Sequence, residues 1–223
     1  MNIWQKFLLM TICLTTLAGA QAGVVIGGTR LVYDGNKKES SLTLSNPDKN
    51  PFLIQSWVDM PEGSSGKAPF IITPPIFRLD GGQDNILRVI ATNANLPGDK
   101  ESLFWINIKS IPSTEAKENT LQIAVKTRIK LFYRPAGLEG GVTEAAAKLK
   151  WQRSGKSLQV SNSSPYYLTF FNVKLNGVEL KETGMVAPFS STTLTLPAAS
   201  GGMLSWQIIN DYGGASPVLN ATL

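Results

Sequence analysis

The sequence predicts an all-β protein of two β-sandwich domains, and three observations carry that reading. Short apolar segments of strand-like composition recur, with turn residues about every 8–12 positions. A glycine-rich break at Ala136 to Val142 (AGLEGGV) separates a longer first run of segments from a shorter second run. Leu121 to Pro135 (LQIAVKTRIKLFYRP) alternates without a turn. Leu121, Ile123, Val125, Thr127, Ile129, Leu131 and Tyr133 share one face, and Gln122, Ala124, Lys126, Arg128, Lys130, Phe132 and Arg134 share the other. Ordinary strands run about 5–6 residues, so a strand this long outruns its partners or pairs outside its own domain. Its apolar row is either sandwich core or an exposed template for another chain.

The totals narrow the class. Lys6, the apolar run Phe7 to Leu17 and the small-residue site Ala20-Gln21-Ala22 mark residues 1–22 as a secretory signal peptide. The mature chain then starts at Gly23 and is expected to be soluble. The only cysteine, Cys13, leaves with the signal, so no disulfide supports the exported fold. There is no histidine, which removes Ser-His-Asp and Cys-His catalysis and the commonest metal ligand. No pair of carboxylates stands in an apolar setting, so no enzyme, metal or cofactor is expected. The net charge of +5, or +4 without Lys6, is too small and too scattered for nucleic acid or a membrane surface.

Each element follows in order. Val24–Tyr33 (VVIGGTRLVY) is a first strand, weakened at Gly27-Gly28 by a bulge or close approach. Its Arg30 is either a solvated rim residue or an anion-binding arginine. Asp34-Gly35-Asn36 turns. Ser40–Ser45 is a second strand and Phe52–Val58 a third, with Trp57 expected in the core. Phe70–Thr73 stops at Pro74-Pro75. Asn85–Ala91 and Glu101–Ile111 follow, and Ser113–Thr120 joins the latter to Leu121 as a hairpin. Seven strands before Pro135 suggest an Ig-like sandwich at 23–135, then a linker at 136–142. The second domain, 143–223, opens with a helical turn at Thr143–Lys148. Strands follow at Leu149–Trp151, Leu158–Asn162, Tyr167–Leu175, Thr192–Leu196, Met203–Asn210 and Val218–Thr222. Asn176-Gly177 is its sharpest hairpin signal. Asn162-Ser163-Ser164 and Asn220-Ala221-Thr222 match a glycosylation triplet that is frequent by chance.

Several stretches resemble the PapD-like periplasmic chaperones of the chaperone–usher pathway. They are Leu96–Pro112 (LPGDKESLFWINIKSIP), Arg128–Pro135 (RIKLFYRP), Ile209–Gly213 (INDYG), Thr73-Pro74-Pro75 and Ser164–Thr169 (SPYYLT). The resemblance spans the mature chain. It implies two Ig-like β-sandwich domains set as an L with a cleft between them. It also implies a function: binding fimbrial or pilus subunits by donor-strand complementation, shielding them from aggregation and delivering them to an outer-membrane usher. Carried over by position, Leu121, Ile123 and Val125 fill the subunit groove, and Arg30 and Lys130 anchor the subunit's C-terminal carboxylate. Glu101, Arg134 and Asp211 match an interdomain ionic network. Arg88 matches a family arginine to which no role attaches. Ser113–Thr120 resembles the short-loop class. Self-association of the free chaperone is a further expectation wherever that apolar row lies exposed. A structural fimbrial subunit or adhesin is the rival reading, but a cysteine pair and an uninterrupted N-terminal donor segment are missing from this sequence. One point stays open: Lys130 has even parity and the groove row odd, so either a bulge intervenes or the two act on different faces.

Overall fold

The computed structural model describes residues 23–92, 95–113, 121–196 and 201–223. The signal-peptide reading of residues 1–22 and nearly all of the Ser113–Thr120 connection lie outside that range.

Nine strands make up the first domain among the described residues: β1 (Val25–Ile26), β2 (Arg30–Asp34), β3 (Ser40–Ser45), β4 (Phe52–Asp59), β5 (Phe70–Thr73), β6 (Ile76–Leu79), β7 (Asp84–Ala91), β8 (Ser102–Pro112) and β9 (Val125–Arg134). They form one sheet in the order β1-β3-β7-β5 and a second in the order β2-β9-β8-β4-β6. Alternate apolar residues of both sheets, including Leu44, Ile54, Leu87, Ile106 and Leu131, close the core between them.

The expected first strand is two strands in different sheets. β1 runs antiparallel to β3, whereas β2 runs parallel to β9. The crossing falls at Gly27-Gly28, where the Gly27 N–H donates to the Thr43 carbonyl at 2.8 Å. A Cβ on Gly27 would lie 3.2 Å from that oxygen, so the close approach favours glycine. β6, which follows Pro74-Pro75 directly, has no counterpart among the expected strands: its four residues sit between breakers and carry too short a pattern.

Two expectations are corrected. The long strand starts at Val125, not Leu121. The β8–β9 register pairs Ser110 with Val125. Carried two residues further, it would reach Pro112, which has no N–H to donate. Residues 121–124 therefore belong to no strand and are exposed. Trp57 is not core. β4 turns Ile54 and Ser56 inward, and Trp57 points outward beneath the Lys126 ammonium, 5.0 Å from its ring centroid.

The second domain begins with α1 (Val142–Ala147) and continues with β10 (Lys150–Ser154), β11 (Ser157–Asn162), β12 (Leu168–Leu175), β13 (Val178–Glu179), β14 (Met185–Val186), β15 (Ser190–Thr195), β16 (Met203–Ile208) and β17 (Leu219–Thr222). Its sheets are β10-β11-β15 and β13-β12-β16-β17, with β14 alongside β12. A separate core holds Leu158, Val160, Leu168, Val173, Leu204 and Trp206. Asn176 and Gly177 form the two-residue turn between β12 and β13, with φ of 52° and 80° as a type I′ turn demands. Asn162 is buried and its amide donates to the Tyr166 and Ala187 carbonyls, a structural role that leaves no room for a glycan.

Candidate functional site

β9 places the candidate residues. Its register with β8 is unbroken from Val125 to Tyr133, so no bulge separates the two rows. Ile129 and Leu131 enter the first domain's core. Lys126, Arg128, Lys130, Phe132 and Arg134 point to the opposite, outward face of the sheet. There the cations lie over aromatic rings: Arg128 is 4.3 Å and Lys130 5.9 Å from the Trp105 centroid. The parity question is thereby answered, because Val125 and Lys130 belong to different faces of one regular strand.

The strand has a free edge. β8 covers one side of β9 along its length, but β2 covers the other only from Lys130 onward. Among the described residues, Val125 to Ile129 have no strand on that side. Beside this edge, Leu121, Ile123 and Val125 are 83%, 66% and 53% exposed. They do not pack into their own domain.

Arg30 and Lys130 stand at the point where the free edge ends, as direct register partners on parallel strands. Arg30 donates from Nη1 to the Ile209 carbonyl of the second domain at 3.1 Å and lies 5.6 Å from the Phe132 centroid. Its Nε is buried without a hydrogen-bond partner. Neither cation forms an ion pair with a described carboxylate. Burial lowers the pKa of Lys130, and the neighbouring Arg30 charge lowers it further. Burial also lowers that of Arg30, against the pull of Asp211 and Glu101. Two half-buried like charges with an unsatisfied donor make a ready receptor for an anion, above all a bidentate carboxylate.

A second cluster joins the domains. The Arg134 guanidinium donates bidentately to Asp211 at 2.8 Å and through Nε to Glu101 at 2.8 Å. The other Glu101 oxygen accepts the Tyr167 N–H at 2.7 Å, and the Glu101 N–H donates to the Pro165 carbonyl at 2.9 Å. Glu101 thus binds both domains through side chain and backbone. Burial raises its pKa, with Arg134 opposing. Burial also works against the Arg134 cation, but Asp211 and Glu101 outweigh it and hold its pKa above the ordinary value. The loop after β16 seats its Gly213 (φ 85°) against Thr29, next to Arg30.

The structure therefore brings Arg30 and Lys130 together, and separately Glu101, Arg134 and Asp211. It leaves Leu121 and Ile123 outside the strand, and Val125 on the opposite face of β9 from Lys130. Arg88 lies on the outer face of the other sheet, exposed and 3.9 Å from Glu39. Sequence reasoning assigns no role to Phe132, Tyr166 or Tyr167. Phe132 is buried but belongs to neither core, and packs 5.6 Å from the Tyr167 ring. Its signal is an apolar residue in the polar row of an alternating strand, which implies cover by another element. The Arg134 guanidinium lies 5.0 Å from the Tyr166 centroid, and the Tyr166 hydroxyl reaches the linker carbonyls of Glu139 and Gly140.

Among the described residues, two joined β sandwiches, a strand edge left free from Val125 to Ile129 and two cations without an ion pair at its end have the chemistry to bind another polypeptide chain. Comparison with known proteins supplies the family. Residues 23–139 match "Pili and flagellar-assembly chaperone, PapD N-terminal domain", and residues 144–219 match "Pili assembly chaperone PapD, C-terminal domain". The chain belongs to the PapD-like pilus-assembly chaperones. Members of this family are assembly chaperones, not enzymes. Among curated relatives, "Probable fimbrial chaperone LpfB" of Escherichia coli O157:H7 is 45% identical, covering 96% of this chain and 95% of its own length. The crystal structure of the E. coli chaperone DraB superposes with a TM-score of 0.82 at 40% identity, covering 90% of this chain and 96% of the other. A chain in the structure of Salmonella enterica SafA pilin in complex with the SafB chaperone gives 0.84 at 33% identity, covering 92% and 99%. Membership sets aside the fimbrial-subunit reading. Among the described residues no helix is long and apolar enough to cross a membrane.

Proposed function

We propose that this chain, exported to the periplasm after loss of residues 1–22, captures incomplete fimbrial subunits and passes them to an outer-membrane usher. A subunit lacking one strand has a bare sheet edge and an open apolar groove, both aggregation hazards. The free edge of β9 supplies the missing backbone partners. Leu121, Ile123 and Val125 fill the groove, each contributing about 1.5–3 kcal/mol on full burial before the costs of association. Arg30 and Lys130 take the subunit's C-terminal carboxylate. That anchor fixes the register, which the period-2 pattern by itself leaves open to slippage. Because β2 closes that side of β9 from Lys130 onward, a strand whose C-terminus is held at Lys130 lies along the free edge from Val125 to Ile129, and so runs parallel to β9. The Glu101–Arg134–Asp211 cluster holds the two domains so that the anchor stays open. In the free protein the same edge and apolar row are available to a second copy.

The observation that carries this reading is the pair of unneutralised cations where the free edge of β9 ends. The test is a pull-down of tagged protein from periplasm in which the subunits of its own gene cluster are expressed, with mass spectrometry of what is retained. A β-rich subunit at one-to-one stoichiometry is expected, and its loss with Lys130→Glu at unchanged melting temperature. Full retention of the subunit by that variant would refute the anchor.

A further inference from the structure

Two pairs of cations stand opposite each other on the outward face of the five-stranded sheet. Arg30 faces Lys130, and Lys109 on β8 faces Lys126 on β9. Like charges directly opposite across a ladder are destabilising. The carboxylate anchor accounts for the first pair, and nothing so far accounts for the second. Lys126 is exposed and rests over the Trp57 ring, 5.0 Å from its centroid. Neither Lys109 nor Lys126 forms an ion pair with a described carboxylate. Arg128 lies between the two pairs and is already matched, at 3.0 Å from Glu62.

We propose that Lys109 and Lys126 form a second anion site, which selects an acidic side chain at the fifth residue from the client's C-terminus. The inference rests on the capture mode above. A client strand parallel to β9, with its terminal carboxylate level with Lys130, advances residue for residue along the free edge. Its fifth residue from the end is then level with Lys126 and, with the parity of the terminal residue, on the same outward face. Adjacent strands lie about 4.8 Å apart, within reach of the flexible lysine stem once it leaves Trp57. An acidic side chain there relieves the repulsion between Lys109 and Lys126, and a basic one adds a third positive charge. The third residue from the end is level with Arg128, which Glu62 already satisfies. Selectivity therefore belongs to the fifth position rather than the third.

The experiment uses four eight-residue peptides of alternating threonine and valine. The fifth residue from the end is Glu or Lys, and the C-terminus is a free acid or an amide. Binding to the full chain is measured by NMR titration at low salt. The free-acid Glu peptide is expected to bind about two- to fivefold more tightly than the free-acid Lys peptide, the range of exposed ion pairs. That preference should shrink in high salt and vanish in the Lys109→Gln/Lys126→Gln variant and in Lys126→Gln alone. Both side chains lie outside the core, so melting should not change. A fifth peptide, a free acid with Glu at the third position instead, should gain less, and should gain more once Glu62→Gln frees Arg128. Equal binding of the two free acids, with acids still preferred over amides, would overturn the second site and leave the anchor standing. A preference that survives the double variant would overturn it as well. Loss of the preference for acids over amides, or no binding by either acid, would overturn the anchor and this inference together.

Discussion

Arg134→Ala isolates what the domain junction contributes. Among the described residues, the variant removes the only cation bonded to Glu101, whose side chain is 1% exposed, and it frees Asp211 at the same time. Removing one member of a buried pair typically costs about 3–5 kcal/mol. Here the guanidinium is 22% and Asp211 33% exposed, so solvent screens part of the loss and about 2–4 kcal/mol is expected. For a chain of this size each kcal/mol moves Tm by about 2–4 °C, so the fall should approach about 10 °C, concentrated in the transition that separates the domains. Its pH dependence is the sharper test. Burial already raises the Glu101 pKa, and Arg134 is the foremost influence opposing it. Without Arg134 the folded-state pKa rises further. A carboxyl with a raised folded pKa stabilises the fold in its protonated form, fully below its unfolded pKa, and loses that contribution as pH rises through the folded pKa. The deficit of the variant against the parent should therefore be largest at neutral pH and shrink toward about pH 4. Calorimetry and urea unfolding at several pH values between about 4 and 8 read it. A deficit that stays flat or grows on acidification would refute the reasoning, because Glu101 would then not be the buried charge left behind.

Three further outcomes follow from the geometry. Val125→Asp should leave stability within about 1 kcal/mol of the parent, as for exposed sites, because Val125 is 53% exposed; subunit capture should nevertheless fall, and a large loss of Tm with capture intact would return that residue to the core. Gly213→Ala places a Cβ 2.6 Å from Thr29 Oγ1 at a φ of 85° and should cost about 1–2 kcal/mol at the junction, read as an earlier domain-separating transition; an unchanged melting profile would refute that contact. Binding of a free-acid peptide should weaken as pH rises through the lowered Lys130 pKa, beginning below the ordinary 10.5. The sign follows because the carboxylate favours protonated Lys130, so affinity is complete below the free-state pKa and declines above it. Lys130→Arg should hold affinity to higher pH, and a pH profile identical in both proteins would remove Lys130 from the anchor.

Much of this protein is legible in its sequence because the signals concerned are local. Period-2 alternation gives strand faces, so residue parity alone separates Val125 from Lys130. Turn chemistry sets the Asn176-Gly177 hairpin, whose two positive φ values only such residues adopt easily. The absence of histidine and of any cysteine after Cys13 excludes whole classes of catalysis. What stays hidden depends on partners distant in the chain. Nothing local to Val24–Tyr33 says that its two halves join different sheets, one antiparallel to β3 and one parallel to β9. Nor does β9 announce that its pairing begins only at Val125, which depends on Pro112 in the neighbouring strand. Trp57 reads as core because large aromatics usually are buried, but β4 turns it toward Lys126. The cationic sites are the clearest division. Arg30, Lys109, Lys126 and Lys130 are separate charges in the sequence; only strand register sets them opposite one another, because repulsion and anion binding depend on distance in space rather than along the chain.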